Sequence, residues 1–186
     1  MTESQLIQLC LKRDRKAQKE LYDKYGPRLM ALCLRYVSNR EDAEDIFHDS
    51  MLKVFEKLHT WQGHSALQTW ICRIGINTAL DFIRQHKRVM MVDVADQFLQ
   101  TEDELPLETQ SIDPEVAIVI LNQLPLQHKL IVNLHLVDKM SHAEIATALQ
   151  ITEMASRTRL RRARQVLTQM YHDYMKQTHE TVARHI

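Results

Sequence analysis

Apolar residues recur along most of this chain at spacings of three and four residues, which is the period of an amphipathic α-helix. Pro27 interrupts one of these patterns, and because a proline in a helix interior costs about 3 kcal/mol, we expect a kink or a boundary there. The pattern predicts an all-α protein. The predicted helices cover residues 2–13, 17–37, 41–58, 65–88, 114–124, 126–137, 141–149 and 152–176.

The helical pattern fails between the two halves of the chain. Residues 93–113 contain many acidic residues, no basic residue and one proline, a composition typical of a flexible linker. Asp113 and Pro114 then provide an N-cap and a proline at the first helical position. We therefore expect two small helical domains joined by an acidic linker. The predicted segments are domain 1–90, linker 91–112, domain 113–178 and C-terminal tail 179–186.

The segment 141–167 has the pattern of a helix-turn-helix. Ser141 and Glu144 have the spacing of a capping box, and Thr152 can cap the second helix. A helix-turn-helix places its second helix in the major groove of DNA, where Arg is the favoured partner of guanine. A solvated basic face is the alternative, but the capped helix and short turn favour duplex DNA binding. The arginines of this helix are Arg157, Arg159, Arg161, Arg162 and Arg164.

The predicted helix 41–58 has an apolar inner face and an acidic outer face with one apolar residue in its middle. A solvated surface and a docking surface for a basic helix of a partner both fit this pattern, and the sequence leaves both open. The outer face is formed by Asp45, His48, Asp49, Leu52 and Glu56.

The predicted helix 65–88 becomes more basic toward its end. Ser65 and Gln68 have capping-box spacing, and the loop before them carries Trp61 and His64. Cations that follow phosphates, beside a loop that can hold an unstacked base, suit single-stranded nucleic acid. We expect Trp70 in the core, whereas Trp61 is left open between the core and a ligand-facing position. The residues expected on the outer side are Arg73, Asn77, Leu80, Arg84, Lys87 and Arg88.

The composition changes this picture only slightly. The net charge is zero, which argues against a nucleic-acid partner, but acidic and basic residues lie in separate segments, as surfaces for different partners require. No apolar run is long enough to span a membrane, and the N-terminus lacks the charge order of a secretory signal. Three widely spaced cysteines are typical of reduced thiols in a cytoplasmic protein. The ten histidines show no zinc-ligand spacing with cysteine, so we expect no metal and no cofactor.

Over about residues 5–172, the chain resembles the extracytoplasmic-function (ECF) group of the sigma-70 family, which are bacterial transcription-initiation subunits. The resemblance depends on the order and spacing of several stretches. These are ELYDKYGPRLMALCLRYV, NREDAEDIFHDSMLKVFEKL, TWICRIGINTALDFIRQHKR, and LNQLPLQHKLIVNLHLVDKMSHAEIATAL followed by RLRRAR.

The resemblance implies a non-enzymatic alternative sigma factor that binds core RNA polymerase, through its β′ and β subunits, and promoter DNA. It also implies an anti-sigma factor as a partner and a linker that passes through the RNA exit channel of the polymerase. The implied polymerase-binding residues are Asp45, His48, Asp49, Leu52 and Glu56. The implied −10 DNA-binding residues are Trp61, His64, Ser65, Arg73, Asn77, Arg84, Lys87 and Arg88. The implied −35 DNA-binding residues are Arg157, Thr158, Arg159, Arg161, Arg162 and Arg164.

Two positions depart from the family pattern. Gln150 stands at the turn where the family usually has glycine, and it tolerates a left-handed backbone poorly. Ser156 stands at a usually apolar core position of the second helix. Because a buried hydroxyl needs a hydrogen-bond partner, we expect this helix to sit slightly rotated.

Two other classes of protein remain as alternatives. One is an ordinary helix-turn-helix regulator that binds duplex DNA without being a polymerase subunit. The other is a carboxylate-bridged dimetal enzyme, since Asp45 with His48 and Glu56 with His59 have the spacing of helical-bundle metal ligands. That enzyme needs inward-facing ligands, whereas Asp45 and His48 are predicted to face away from the apolar side.

Overall fold

A computed structural model describes residues 2–37, 39–86 and 114–183. Within these ranges the chain is almost entirely α-helical and contains no β-strand, so the predicted all-α class is confirmed. The chain divides into two compact units, Met1–Val89 and Met90–Ile186. The predicted linker, together with Lys87 and Arg88, lies outside the described residues.

The helices are numbered here in chain order. The first unit contains α1 (Glu3–Leu11), α2 (Arg15–Tyr36), α3 (Arg40–Lys57), a 3₁₀ turn (Leu58–Thr60) and α4 (Leu67–His86). The second unit contains α5 (Pro114–Gln123), α6 (Leu126–Val132), a π-helical turn (Asn133–Val137), α7 (His142–Leu149) and α8 (Glu153–Ala183). No helix within the described ranges combines the length and apolar character needed to cross a membrane.

The core of the first unit lies between α2, α3 and α4, which pack pairwise, while α1 packs on α2. Leu29 on α2 and Ile71 on α4 are completely buried, as is Val54 on α3. Gly75 permits the close approach of α4 to α2, because a Cβ atom there would lie 2.4 Å from Cδ1 of Leu29. The backbone of α4 therefore approaches α2 more closely than any side chain would allow.

The expected interruption at Pro27 does not end the helix. Helix α2 is continuous from Arg15 to Tyr36 with Pro27 inside it, so a boundary at this point is wrong. The neighbouring Tyr25, Gly26 and Leu29 are all buried, and Gly26 faces the ring of Phe47 on α3. Packing of this buried side against the rest of the unit offsets the lost backbone hydrogen bond.

The start of α4 also differs from the prediction. The helix begins at Leu67, and the side-chain amide of Gln68 donates through Nε2 to Sγ of Cys72 at 3.4 Å rather than turning back to form a capping box with Ser65. By contrast, a side-chain cap begins α3, where the side-chain oxygen of Asn39 accepts from the backbone amide of Glu41 at 3.0 Å.

The second unit is organised around α8, against which α5, α6 and α7 pack. The predicted capping box of Ser141 and Glu144 is formed, and Oγ1 of Thr152 accepts from the amide of Ala155 at 3.1 Å. Helix α8 continues through Ala183, beyond the predicted end near Lys176, so residues 179–183 of the predicted tail are helical.

Candidate functional site

The acidic outer face of α3 is exposed as predicted. Asp45, His48, Asp49 and Glu56 are all exposed, and Leu52 in their middle is 62% exposed. The opposite face is buried and includes Ala43, Ile46, Phe47, Ser50 and Val54. This division gives one apolar side chain surrounded by carboxylates, which suits contact with a basic, partly apolar helix of another protein.

The same face borders a groove of about 370 Å³ between α3 and α4. Asp81 and His86 of α4 line it opposite Asp45 and Asp49 of α3. On its inner side, Nζ of Lys53 donates to Oγ1 of Thr78 at 3.2 Å. The acidic surface therefore extends from α3 onto α4 at Asp81, a feature that the basic residues toward the end of α4 hide in the sequence.

The loop before α4 is held by Trp61. Its ring is half-buried, and its Nε1–H donates to the carbonyl oxygen of Ser65 at 3.2 Å. Gly63 has a φ of +79°, which only glycine adopts easily, and this closes the turn beside the indole ring. The loop thus presents the exposed His64 and Ser65 from an internally bonded turn, with Trp61 neither in the core nor fully exposed.

The outer side of α4 carries the exposed Arg73, Asn77 and Arg84. Arg84 pairs with Asp81 at 2.6 Å, so part of its charge is already compensated. Leu80 was expected on this side but is only 2% exposed, and that expectation is wrong. Because α4 packs against both α2 and α3, its buried face is wider than that of a helix with one neighbour.

Trp70 was expected in the core of the first unit. It is half-buried, whereas Leu67 and Ile71 on either side of it are completely buried. The indole of Trp70 therefore lies at the edge of the core.

The turn between α7 and α8 forms without glycine. Gln150 has φ 56° and ψ 45°, which is the left-handed conformation that ends a helix. The amide of Ile151 donates back to the carbonyl of Ala146 at 3.0 Å and closes the turn. The left-handed backbone costs about 1–2 kcal/mol for a residue with a Cβ atom, so packing of the second unit must absorb this strain.

The predicted DNA-reading residues lie on the first turns of α8. Arg157 and Arg162 are exposed, and Arg157 approaches Glu153 at 3.8 Å. Thr158, Arg159 and Arg161 are half-buried. Arg164 is also half-buried, and its Nε is enclosed without a hydrogen-bond partner. The arginines that face solvent most fully are therefore Arg157 and Arg162, near the two ends of this run.

The buried Ser156 has the partner that its hydroxyl requires. Its Oγ lies 2.8 Å from Nδ1 of His142 on α7, and the His142 ring stacks on His135 with centroids 4.5 Å apart. Nδ1–H of His135 in turn donates to the carbonyl of Met140 at 2.9 Å. Sequence reasoning missed this histidine pair because the contact depends on how α7 packs against α8 and the π-helical turn.

The surroundings of His142 favour its neutral form. Burial lowers the pKa of His142 below its ordinary value, and its electrostatic interactions with His135, Arg157 and Arg164 lower it further. Glu153 raises this pKa, with an effect smaller than that of His135 or Arg157. A neutral imidazole can both share the hydrogen bond with Ser156 and stack on His135.

The residues proposed for a dimetal centre do not face one another. Asp45 and His48 point to solvent, and Nδ1 of His59 bonds to the carbonyl of Glu56 at 2.9 Å. Within the described ranges, no three His, Cys, Asp or Glu side chains are grouped so that they could hold a metal ion.

Each of the two units matches the model of a known protein family. The family model for Sigma-70 region 2 matches residues 21–89, and that for Sigma-70 region 4 matches residues 116–167. The chain belongs to the ECF group of the sigma-70 family. The two matches together span more than half of the chain and follow the order in which the exposed acidic face and the helix-turn-helix occur.

Full-length relatives support the same family. The ECF RNA polymerase sigma-E factor of Haemophilus influenzae is 26% identical over 179 residues, covering 90% of this chain and 94% of the relative. The ECF RNA polymerase sigma factor SigW of Bacillus subtilis is 26% identical over 181 residues, covering 90% and 95%.

Solved structures share the fold. The sigma factor RpoE of Bartonella quintana, solved with the anti-sigma factor NepR, has a TM-score of 0.53 at 22% identity, covering 82% of this chain and 95% of its own. CnrH, solved with the cytosolic domain of CnrY, has a TM-score of 0.52 at 19% identity, covering 90% and 96%.

Proposed function

We propose that this chain is an alternative sigma factor that binds core RNA polymerase and directs promoter recognition and melting at transcription initiation. The observation that carries this proposal is the presence, in order in one chain, of a region 2 unit with an exposed acidic face and a region 4 unit with an arginine-bearing helix-turn-helix. A non-enzymatic role follows from the family, which contributes binding rather than bond chemistry.

The outer face of α3 is the proposed contact with the polymerase β′ subunit. Asp45, Asp49 and Glu56 supply charge, and the exposed Leu52 supplies the apolar contact at their centre. His48 lies between the two aspartates. Complementary charge of this kind raises the association rate and fixes orientation, while the buried apolar contact contributes affinity.

The loop around Trp61 and the outer side of α4 are the proposed −10 contacts. His64 and Ser65 lie where an unstacked base can be held, and Arg73, Asn77 and Arg84 follow the strand. The predicted set also includes Lys87 and Arg88. Capturing a base in this way offsets stacking losses of about 1.4 kcal/mol per base-pair step, which is how binding energy assists melting.

Helix α8 is the proposed −35 contact. Arg157, Thr158 and Arg161 share the outer face of its first turns, with Arg159, Arg162 and Arg164 completing the predicted set. Arginines that contact phosphates release counterions, so promoter binding should weaken steeply as salt increases.

The remaining partners and the location follow from the same proposal. A sigma factor of this group works in the cytoplasm with the β and β′ subunits, and its acidic linker passes through the RNA exit channel. Two structural relatives were solved with an anti-sigma factor or the cytosolic domain of another protein. We include an anti-sigma factor among the proposed partners on this basis.

A run-off transcription assay with bacterial core polymerase and a promoter library tests the proposal. The chain should direct transcripts from a defined subset of promoters, and Asp45→Ala with Asp49→Ala should weaken binding to core polymerase. The matched control is Glu20→Ala with Asp23→Ala, which removes the same charge from exposed positions on α2.

The assay also distinguishes a sigma factor from the alternative, an ordinary helix-turn-helix regulator. A helix-turn-helix regulator would bind duplex promoter DNA alone and leave the transcripts of core polymerase unchanged. Equal effects of the α3 and α2 double variants on core binding would remove the assignment of the α3 face. No transcript from any promoter would remove the proposed function itself.

A further inference from the structure

Met154 is the most exposed large apolar side chain among the described residues, at 71%. It lies in the first turn of α8, directly after Glu153. Single exposed apolar residues are common on protein surfaces, so exposure alone assigns no role. Its position relative to the arginines of α8, by contrast, indicates a role.

Met154 shares a helix face with the residues proposed to read DNA. Arg157, Thr158 and Arg161 follow it at three, four and seven positions, which places all of them on one side of the helix. The orientation of that side is determined by the buried Ser156, Leu160 and Ala163, which face the core of the unit. Met154 therefore projects outward at the N-terminal end of the arginine surface.

That position is where a helix-turn-helix contacts base edges in the major groove. Each base pair presents a different pattern there, and the C5-methyl group of thymine is the apolar feature. Arginine gains its strongest contacts from guanine acceptors, whereas an unbranched and polarizable Met side chain packs well against a methyl group. Arginine and methionine on one face therefore suit an element that contains both guanine and thymine.

We propose that Met154 is a specificity-determining residue that contacts the C5-methyl group of a thymine in the −35 promoter element. This inference rests on the proposed function, because it requires that α8 bind promoter DNA. The C5-methyl group of thymine is a feature that the arginines, which bind guanine acceptors, do not recognise.

The test replaces each thymine of the −35 element, one at a time and on both strands, with deoxyuridine. Deoxyuridine lacks only the methyl group. Promoter affinity is measured for the holoenzyme assembled from core polymerase and the full chain. At one position the replacement should weaken binding of the unsubstituted chain about fourfold, which corresponds to the burial of one methyl group.

Met154→Ala should weaken binding to the thymine promoter by a similar factor and should remove the difference between thymine and deoxyuridine at that position. This loss of additivity distinguishes a direct contact from an indirect effect. Met154→Leu, which keeps an apolar side chain, should retain part of the difference. Gln165→Ala, at another exposed position of α8, should leave the full difference in place.

Three results would overturn the inference. These are a −35 element without thymine, no effect of deoxyuridine at any position, or an equal effect in the unsubstituted chain and in Met154→Ala. In each case continued promoter-specific transcription would leave the proposed function standing. Loss of transcription with the unsubstituted chain would instead count against the proposed function.

Discussion

The two helical units differ in how the hydroxyl of their completely buried serine is bonded, Ser50 in the first unit and Ser156 in the second. In the first unit, the hydroxyl of Ser50 donates to Ile46 of its own helix at 2.6 Å, and that of Thr78 donates to Ile74 at 2.9 Å. In the second unit, Ser156 bonds to His142 on another helix, and the buried Lys129 donates to Asn122 of α5 at 3.1 Å.

This difference has a physical consequence. A hydroxyl that bonds to its own helix keeps its partner however the helices pack, and its loss leaves the helix intact. A bond across helices depends on packing, and removing one side leaves the other without its partner. We therefore expect the loss of the Ser156 hydroxyl to disturb helix packing more than the loss of the Ser50 hydroxyl, and the second unit to respond to pH through His142.

The largest expected effect is a cavity in the first unit. Leu29→Ala removes a completely buried side chain between α2 and α4 and should lower the free energy of unfolding by about 2–5 kcal/mol. Urea unfolding followed by circular dichroism measures it. Leu34→Ala, on the same helix but 43% exposed, is the control and should change the free energy of unfolding by less than about 0.5 kcal/mol.

A pair of serine substitutions compares the two units directly. Ser156→Ala should cost about 1–3 kcal/mol, because His142 loses its hydrogen-bond partner, whereas Ser50→Ala should cost about 1 kcal/mol or less. Amide hydrogen exchange in α7 and α3 reports each unit separately. Equal losses in the two variants would contradict the distinction between bonds within and between helices.

The pH dependence should be strongest in the second unit. The pKa of His142 is lowered by burial and by nearby positive charge, and burial also lowers the pKa of His128, with Arg162 adding to the effect. Below about pH 6.5, the ordinary histidine pKa, the unfolded chain binds more protons than the folded chain. Stability is therefore fully present above that pH and is lost as the pH falls toward the lowered pKa values.

Thermal unfolding at a series of pH values, with hydrogen exchange assigned to α7, measures this dependence. His142→Gln should make the slope below pH 6.5 shallower, and His172→Gln, at an exposed position of α8, should leave it unchanged. An unchanged slope in His142→Gln would show that another group is responsible.

The smallest expected effect lies at the turn between α7 and α8. Gln150→Gly relieves the left-handed strain at φ 56° but adds freedom to the unfolded chain, so the net gain should be at most about 1 kcal/mol. Chemical unfolding of the full chain measures it. The control variant Thr147→Gly places glycine inside α7 and should destabilise the protein instead.

Helical periodicity correctly predicted which residues are exposed where a helix buries only one of its sides. The exposed face of α3 follows directly from the spacing of Asp45, Asp49 and Leu52, because their opposite face alone meets the core. Capping residues such as Ser141 also act locally, and they were found for the same reason.

Features that depend on neighbouring helices were not predictable in this way. Leu80 is buried because α4 has two neighbours, and α2 continues through Pro27 because surrounding contacts support it. The bond between Ser156 and His142 joins residues fourteen positions apart on different helices. The need for a partner at Ser156 could be predicted, but the identity of that partner required the packing of the second unit.

The ion pair between Asp81 and Arg84 joins the two proposed surfaces of the first unit. Asp81 lines the acidic groove beside α3, whereas Arg84 belongs to the side of α4 proposed to follow the DNA strand. Removing the carboxylate of Asp81 would change the charge of the groove and release Arg84 from its partner at once. Variants at Asp81 therefore mix two effects, and substitutions at Asp45 and Asn77 are needed to separate polymerase binding from strand binding.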